Sequence, residues 1–392
     1  MSDTIRSKAQ SLSAETVAIR RDFHENPEIA FEEVRTSSII ADYMQGLGME
    51  VRRNVGKTGV VASWDSGASG KTLLLRADID ALPIHDEKQV AYRSKIDGAM
   101  HACGHDGHAA VLMSTAKILK EEVKAGKLIF IFQPAEEIVK GAEAMLADDA
   151  LQGQKPDAVI GLHLSSNEAT GNVAFKAGPA MAAADAFGIK ISGKGGHAAM
   201  PQMVIDPIVI SAQLITALQT LVARETDPVD QAVISITSIH GGTAYNIIPE
   251  AVELKGTLRT FKEKTRSHLM QRINDLTKGL AQSMRAEIHI EWLLGSPAVV
   301  NDALMTERFK QVAEKALGQD KVFERDPIMG GDDMSLWLRQ GPGCYFFVGA
   351  GNKAKDSDYP HHHPRFDIDE AALPIAVELL SKGLRVFELG LG

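Results

Sequence analysis

Four short, almost continuous apolar runs constrain the fold of this chain more than any other sequence feature. They are TLLLRAD (72–78), KLIFIFQ (127–133), AVIGLHL (158–164) and CYFFVGA (344–350). A strand that is apolar along its whole length must be covered on both faces, and helical stretches separate the runs. The pattern predicts an α/β domain with a helix-flanked mixed sheet.

The stretch between the third and fourth runs has a different pattern. Residues 184–297 alternate between amphipathic strands and helices in the order βαββαβ, and one helix starts at the typical Asp206-Pro207 pair. This order predicts an inserted ferredoxin-like domain. A chain of 392 residues is also longer than one core usually grows. We therefore expect a catalytic domain formed by residues 1–183 and 298–392, and an inserted lid or dimerisation domain at 184–297.

The composition narrows the partners and the compartment. A formal net charge of -9 disfavours a nucleic-acid partner. The polar first 21 residues do not match a signal peptide, and no run of 18 apolar residues suggests a membrane span. Two cysteines, Cys103 and Cys344, cannot form a disulfide framework. We expect a cytoplasmic protein with neither a nucleic-acid nor a membrane partner.

The segment HACGHDGHAA (101–110) concentrates three histidines around Cys103. Three interpretations are open for it: a metal site, a cysteine nucleophile with a histidine base, or a buried thiol beside a polar turn.

Further donor side chains follow the other apolar runs. The pair Glu136-Glu137 comes after the second run, His163 lies in the third, and the triplet 361–363 follows the fourth. Singly, these are typical of a solvated acidic surface, a neutral buried histidine and an exposed triplet. Together they bring carboxylate, imidazole and thiol groups to the strand ends where open α/β sheets bind ligands. This coincidence favours a metal site.

The number and type of donors indicate two metal ions. Five ligands exceed what one tetrahedral ion needs, and an ion pair leaves an open position for a bridging hydroxide. Mixed sulfur, nitrogen and oxygen donors suit Zn or Mn, with Ni or Co as alternatives, and disfavour Mg and Ca. Of two adjacent glutamates, one can bind metal while the other acts as a base.

The motifs as a set resemble those of the M20 metallopeptidases, in order along nearly the whole chain. The similar branch is the amidohydrolase subfamily, which includes hippurate hydrolases, aminoacylases and indole-acetyl-amino-acid hydrolases. The motifs are RADIDALPIHDE (76–87), MHACGHDGH (100–108), FQPAEE (132–137), GLHL (161–164), GGHAAMP (195–201) and HHHP (361–364).

The resemblance implies a role for each matching residue of the metal site. Glu136 is implied as the general base, and Asp80 as a residue that orients a ligand. Asp78 stands where related branches carry a histidine ligand, and we do not assign it to metal. The implied metal ligands are Cys103, His105, Glu137, His163 and His362.

Two departures from the family pattern leave questions open. His362-His363-Pro364 replaces the usual His-Asn-Pro or His-Ser-Pro, so His363 or His361 could compete with His362. In Gly331-Asp332-Asp333-Met334-Ser335, methionine replaces an aromatic residue of the family signature. That change leaves the substrate side-chain preference open.

The resemblance also implies substrate-binding residues in the inserted domain. His197 is implied as a donor to the oxyanion of the reaction, and Asn246 with Arg259 as a clamp for a free carboxylate. The alternative for Arg259 is a charge on the solvated face of a strand.

These observations together predict a metal-dependent, carboxypeptidase-like amidohydrolase. Its substrates would be N-acyl amino acids or short peptides with a free carboxylate, hydrolysed through a metal-bridging hydroxide with Glu136 as the base. We also expect a homodimer, or a dimer-based tetramer, formed through the inserted domain. Two alternatives are a cysteine hydrolase that uses Cys103 and a non-catalytic metal-dependent binding protein of the same fold.

Overall fold

The structure is a computed structural model that describes residues 2–383. The described chain forms two compact units. The first comprises residues 2–180, 300–326 and 333–383. The second comprises Met181–Val299 together with Pro327–Asp332. The short segment Pro327–Asp332 lies within the range 298–392 that we expected to belong to the catalytic domain.

The helices and strands are numbered in chain order. The α-helices in residues 2–383 are α1 Ser2–Ser11, α2 Ser13–Glu25, α3 Val34–Gly46, α4 His105–Glu122, α5 Gly141–Ala147, α6 Pro207–Thr220, α7 Glu263–Met284, α8 Ala303–Leu317, α9 Met334–Leu338 and α10 Ala372–Lys382. The strands in this range are β1 Glu50–Val55, β2 Gly59–Asp65, β3 Thr72–Asp78, β4 Lys127–Gln133, β5 Ala158–Ala169, β6 Val173–Phe175, β7 Gly178–Met181, β8 Ala183–Ser192, β9 Gly196–His197, β10 Ala232–His240, β11 Ile247–Ile248, β12 Ala251–Thr260, β13 Glu287–Ser296, β14 Val299–Asn301, β15 Val322–Glu324 and β16 Gly343–Gly351.

The first unit is built on an eight-stranded mixed sheet with the order β1-β2-β4-β3-β5-β16-β6-β15. The four apolar runs are strands β3, β4, β5 and β16, which lie side by side in the middle of this sheet. These four strands are parallel to one another, whereas β1, β2 and β6 introduce antiparallel pairs. The predicted helix-flanked mixed sheet is confirmed.

Strand register brings polar residues of three neighbouring strands to one level of the sheet. Asp78 pairs with Gln133 at the ends of β3 and β4, and Arg76 pairs with Gly161 on β5. His163, two residues further along β5, is therefore level with Asp78. Since parallel strands end at the same edge of a sheet, this edge collects the polar residues that follow the apolar runs.

Helix α4 lies at the centre of the core of the first unit and begins within the segment HACGHDGHAA (101–110). Gly104, immediately before the helix, has a φ of 93°, a conformation that favours glycine. The helix is buried on all sides from His105 to Ala116, and it packs against α2, α10 and β3. A helix buried all round is fixed in position, so His105 in its first turn is held rigidly.

The second unit contains a four-stranded antiparallel sheet with the order β10-β12-β8-β13. Its strands and helices follow one another as β8, α6, β10, β12, α7, β13, which confirms the predicted βαββαβ arrangement. Both helices pack on the sheet in one core that includes Phe187, Leu214 and Ile273. The side chain of Asp206 accepts hydrogen bonds from the first free N–H groups of α6, as the Asp-Pro pair predicts.

Helix α6 and the turn after it also have the length and composition of a membrane span. The stretch Pro207–Glu225 meets that criterion, although the sequence has no unbroken run of 18 apolar residues. Ile210, Leu214 and Leu218 on this helix lie in the core of the second unit. A core helix can meet the same criterion, so the absence of a membrane partner stays a prediction.

Candidate metal centre

Two groups of donor side chains meet at the sheet edge and have one residue in common. The first is Cys103, His105 and His163, and the second is Cys103, Glu137 and His362; within each group all donor atoms lie within 4.8 Å of one another. The structure therefore brings together all five residues predicted as ligands. Cys103 belongs to both groups, so its sulfur lies within 4.8 Å of a donor atom of each of the other four.

Hydrogen bonds orient the histidine rings toward this cluster. His105 donates from Nδ1 to Asp80, at 2.9 Å from its carbonyl oxygen and 3.2 Å from Oδ1. His163 donates from Nδ1 to the carbonyl oxygen of Leu164 at 2.8 Å. The lone pair of each Nε2 then faces the other donors, and His163 Nε2 lies 3.6 Å from Cys103 Sγ. Fixing one ring nitrogen in this way is how proteins orient histidine ligands.

The donor set fits divalent cations. His105 Nε2 and Glu137 Oε1 are buried and have no hydrogen-bond partner within residues 2–383. Buried polar atoms are rarely left without a partner. Glu137 Oε2 lies 3.3 Å from His362 Nε2, so two ligand atoms face each other with no proton donor between them if both are in the metal-binding form.

Burial controls the protonation of these groups. Burial lowers the pKa of His163 well below its ordinary value, which keeps the imidazole in the neutral form that binds metal. Burial also raises the pKa of Glu137 to about 7 despite the attraction of His105. Burial and the charge of Glu137 hold the pKa of the Cys103 thiol well above its usual range. A cysteine nucleophile has a lowered pKa instead.

A tight turn after β4 presents the two glutamates. Ala135 has a φ of 52°, and its carbonyl oxygen accepts hydrogen bonds from the N–H groups of Lys140 and Gly141 at 3.2 Å each. A Cβ atom at Gly141 would lie 1.6 Å from the carbonyl oxygen of Pro134, so only glycine fits there. Glu136 Oε2 is 3.9 Å from His105 Nε2. The turn thus places both adjacent carboxylates beside the cluster.

The backbone distinguishes the three consecutive histidines. His362 has a φ of 65° and donates its N–H to the carbonyl oxygen of Ala102 at 2.8 Å, which ties it to the Cys103 segment. The ring of His363 instead stacks on Tyr359, and its Nδ1 accepts the N–H of Arg365. His361 packs against His163, with ring centroids 5.0 Å apart. Only His362 of the three joins Cys103 and Glu137.

Most of the chain matches a known protein family. Residues 74–385 match the model of peptidase family M20/M25/M40. The chain belongs to this family. An N-acetyl-L-cysteine deacetylase of Bacillus subtilis is 40% identical over 93% of this chain and 86% of its own length. An IAA-amino acid hydrolase (ILR1-like 4) of Arabidopsis thaliana is 38% identical over 93% of this chain and 83% of its own length.

A solved structure supports the same assignment. The YXEP protein of Bacillus subtilis, described as a dinuclear metal binding peptidase of the M20 family, superposes with a TM-score of 0.81 at 34% identity. The superposition covers 97% of this chain and 99% of the YXEP chain. The chain is therefore an M20 metallo-hydrolase of amide bonds, and the alternative of a non-catalytic binding protein is wrong.

Three residues predicted for substrate binding lie in the second unit of this M20 enzyme. His197 is exposed on β9, and its Nδ1 accepts the N–H of Ala199 at 3.1 Å. In the neutral ring this leaves Nε2 as a hydrogen-bond donor. Asn246 is also exposed, and its carbonyl oxygen accepts the N–H of Ala198. Arg259 lies half-buried on β12, beside Gly331.

The structure adds a buried network that the sequence analysis did not assign. Asp78 accepts hydrogen bonds from Arg76 at 2.7 Å and from His108 Nδ1 at 2.6 Å. His108 Nε2 accepts the N–H of Leu164, which requires Nδ1 to be the donor. Arg76 also binds Asp333 at 3.0 Å. The sequence signal is a pair of charged residues inside the apolar run LLLRAD, where charge is retained only if it is paired.

Proposed function

We propose that this enzyme hydrolyses N-acyl amino acids with a free carboxylate, using two divalent metal ions. The proposal rests on the two donor groups that share Cys103 and on Glu136, which lies beside His105 and Glu137. The ligands would be Cys103, His105, Glu137, His163 and His362, and Zn or Mn suits their mixed sulfur, nitrogen and oxygen donors. The names of the two relatives, an N-acetyl-L-cysteine deacetylase and an IAA-amino acid hydrolase, support an N-acyl amino acid as the substrate class.

The chain's own residues supply the proton transfer and the binding of the substrate. Ions held in the cluster would act as Lewis acids toward the amide carbonyl and lower the pKa of water. Glu136 accepts a proton from the attacking water and returns it to the leaving amine. His197 donates from Nε2 to the developing oxyanion. Arg259, with Asn246, binds the substrate carboxylate.

Metal removal tests the metal-dependent reaction. Dialysis against a chelator should abolish hydrolysis of N-acetyl, N-benzoyl and indole-acetyl amino acids, and addition of Zn²⁺, Mn²⁺, Co²⁺ or Ni²⁺ should restore it to different extents. Elemental analysis verifies that the dialysed protein is metal-free. Full activity in that protein would contradict the proposal and favour a hydrolase that uses the Cys103 thiol.

The two adjacent glutamates should have separable roles. Glu136→Gln should keep both metal ions and lose about 10²–10⁴-fold in kcat, because an amide cannot accept the proton of water. Glu137→Ala should instead lower the metal content. Metal analysis of both purified variants beside kinetics decides the matter. Equal metal loss in the two variants would mean that the division of labour is wrong.

A further inference from the structure

Glu33 is a fully buried carboxylic acid on the loop before α3, and the roles proposed above do not use it. Its side chain has no exposure to solvent, and burial raises the pKa of its carboxyl to about 7. A buried acid is unfavourable unless hydrogen bonds compensate. Its hydrogen bonds therefore show what it holds in place.

Two residues with unusual backbone conformations donate to one oxygen of Glu33. Phe31 and Ala135 both have positive φ, 64° and 52°, and each donates its N–H to Glu33 Oε1 at 2.9 Å. The second oxygen, Oε2, accepts a hydrogen bond from Thr58 Oγ1. Residues other than glycine keep a positive φ only where their surroundings enforce it. Glu33 is a partner that enforces it at Ala135.

Carboxylates accept the backbone N–H groups of the two residues next to Glu136. Glu33 accepts the N–H of Ala135, and Asp80 Oδ2 accepts the N–H of Glu137 at 3.0 Å. The carbonyl oxygen of Ala135 is bound by the backbone of the same turn, and the N–H of Val139 closes the turn on the carbonyl oxygen of Glu136 at 2.7 Å. The direction in which the Glu136 side chain leaves the backbone is thus set from both sides.

We propose that Glu33 is a positioning residue for Glu136, and that it acts through the hydrogen bond to the Ala135 N–H. The inference rests on the proposed role of Glu136 as the general base. A base must lie within hydrogen-bond reach of the proton it accepts, and small displacements reduce the rate strongly. Loss of the Ala135 hydrogen bond should therefore reduce kcat and leave KM and metal content unchanged.

Two variants of Glu33 distinguish the effect of side-chain length from the effect of its charge. Glu33→Gln keeps the length of the side chain and an acceptor oxygen, and its kcat should stay within about threefold of wild type. Glu33→Asp keeps the charge but is one methylene too short to reach Ala135, and its kcat should fall about 10- to 100-fold. Both are assayed as metal-loaded enzyme, with metal content and KM measured in parallel. Equal kcat values in the two variants, or metal loss in Glu33→Asp, would overturn the proposal.

Thr58→Val serves as the matched structural control. It removes the hydrogen bond to Oε2 and leaves the Ala135 contact in place, so kcat should not change. A loss as large as that of Glu33→Asp would refute a specific role for the Ala135 contact. If Glu33→Asp does not fold, Glu33→Met tests the same contact, because methionine has a similar length and offers no strong acceptor to the Ala135 N–H. An unchanged kcat in Glu33→Met would equally overturn the inference.

A double variant distinguishes failure of this inference from failure of the proposed function. If Glu33 acts through Glu136, adding Glu33→Asp to Glu136→Gln should cause no further loss of kcat. A further 10-fold loss would show that Glu33 acts elsewhere, while the proposed function would stand. If Glu136→Gln alone kept wild-type turnover, the proposed base would be wrong whatever Glu33 does.

Discussion

Arg259 is a half-buried cation, and the acidic residue that attracts it, Asp185, already binds another arginine. Asp185 binds Arg266 through both carboxylate oxygens, at 2.7 Å and 2.8 Å. The guanidinium group of Arg259 makes no hydrogen bond to any of residues 2–383, and burial lowers its pKa despite the attraction of Asp185. A planar carboxylate that binds through two oxygens would strongly stabilise a guanidinium group in this state.

Substitution of Arg259 should therefore abolish the distinction between acids and amides. Arg259→Ala is expected to lower kcat/KM for N-acyl amino acids. The decrease should correspond to a loss of roughly 2–4 kcal/mol, the value of a charge-assisted contact. The corresponding N-acyl amino acid amides, which lack the charge, should be hydrolysed as before. Paired assays on acid and amide substrates measure the selectivity. Unchanged selectivity would refute the carboxylate role.

At the scale of elements, one buried arginine joins helix α2 to two of the segments that carry metal-site residues. Arg20 Nε donates to Asp106 at 2.8 Å, next to His105 at the start of α4. Its Nη2 donates to Asp367 at 2.6 Å, in the segment between His362 and α10. Arg20 and Asp106 have no side-chain exposure to solvent. This ion cluster links three elements that are far apart in sequence.

Two adjacent arginines provide a matched test of that link, because both bind Glu370 but only one is buried. Arg20→Ala leaves buried carboxylates without their cation and should lower the free energy of unfolding by about 3–5 kcal/mol. Arg21→Ala removes an exposed ion pair and should lower it by less than about 1 kcal/mol. Urea unfolding of both variants measures the difference. Similar midpoints would show that the buried cluster does not stabilise the fold.

At the scale of the whole molecule, the second unit has features of a subunit interface. In the described chain, no further strand pairs with the outer edges of β10 and β13. Helix α6 exposes Ile208 and Val209 by 43% and 49%. An unpaired strand edge can pair with another chain, and neighbouring exposed apolar side chains can mark an interaction site. These features support the predicted homodimer. We further expect that His197 of each subunit acts in the active site of the other subunit.

Mixing two inactive variants tests that assignment. Glu136→Gln and His197→Ala homodimers should each be nearly inactive. After subunit exchange, one site of every mixed dimer would combine an intact Glu136 with an intact His197 from the other chain. Statistical mixing then restores about a quarter of wild-type activity, because half of the dimers have one functional site. No recovery after verified exchange would mean that His197 acts within its own chain.

The parts of the fold that depend on local pattern could be predicted from the sequence. The strands β3, β4, β5 and β16 are apolar on both faces, so their burial follows from composition. The inserted unit follows from its periodicities, and helix α6 from its Asp-Pro start. A metal site was predicted because thiol, imidazole and carboxylate groups follow several buried strands, which chance rarely produces. The choice of individual ligands among these groups came from the resemblance to the M20 metallopeptidases.

The missed contacts depend on packing between distant segments. Arg20 lies 347 residues from Asp367, and Glu33 lies 102 residues from Ala135, so no local pattern connects them. The distinction of His362 from its two histidine neighbours depends on one positive φ and one backbone hydrogen bond. Such geometry is decided by tertiary structure, which composition and periodicity do not encode.

The position of β16 in the sheet has a consequence for biosynthesis. Strand β5 is complete at Ala169, but its parallel neighbour β16 begins only at Gly343. At ~5–20 residues per second, the ribosome needs roughly 10–35 s to add the intervening residues. During that interval the nascent chain carries a long apolar strand with one open edge, which is a site for aggregation. The sheet of the first unit can therefore close only late in translation, and until then this strand edge has to be kept apart from other chains.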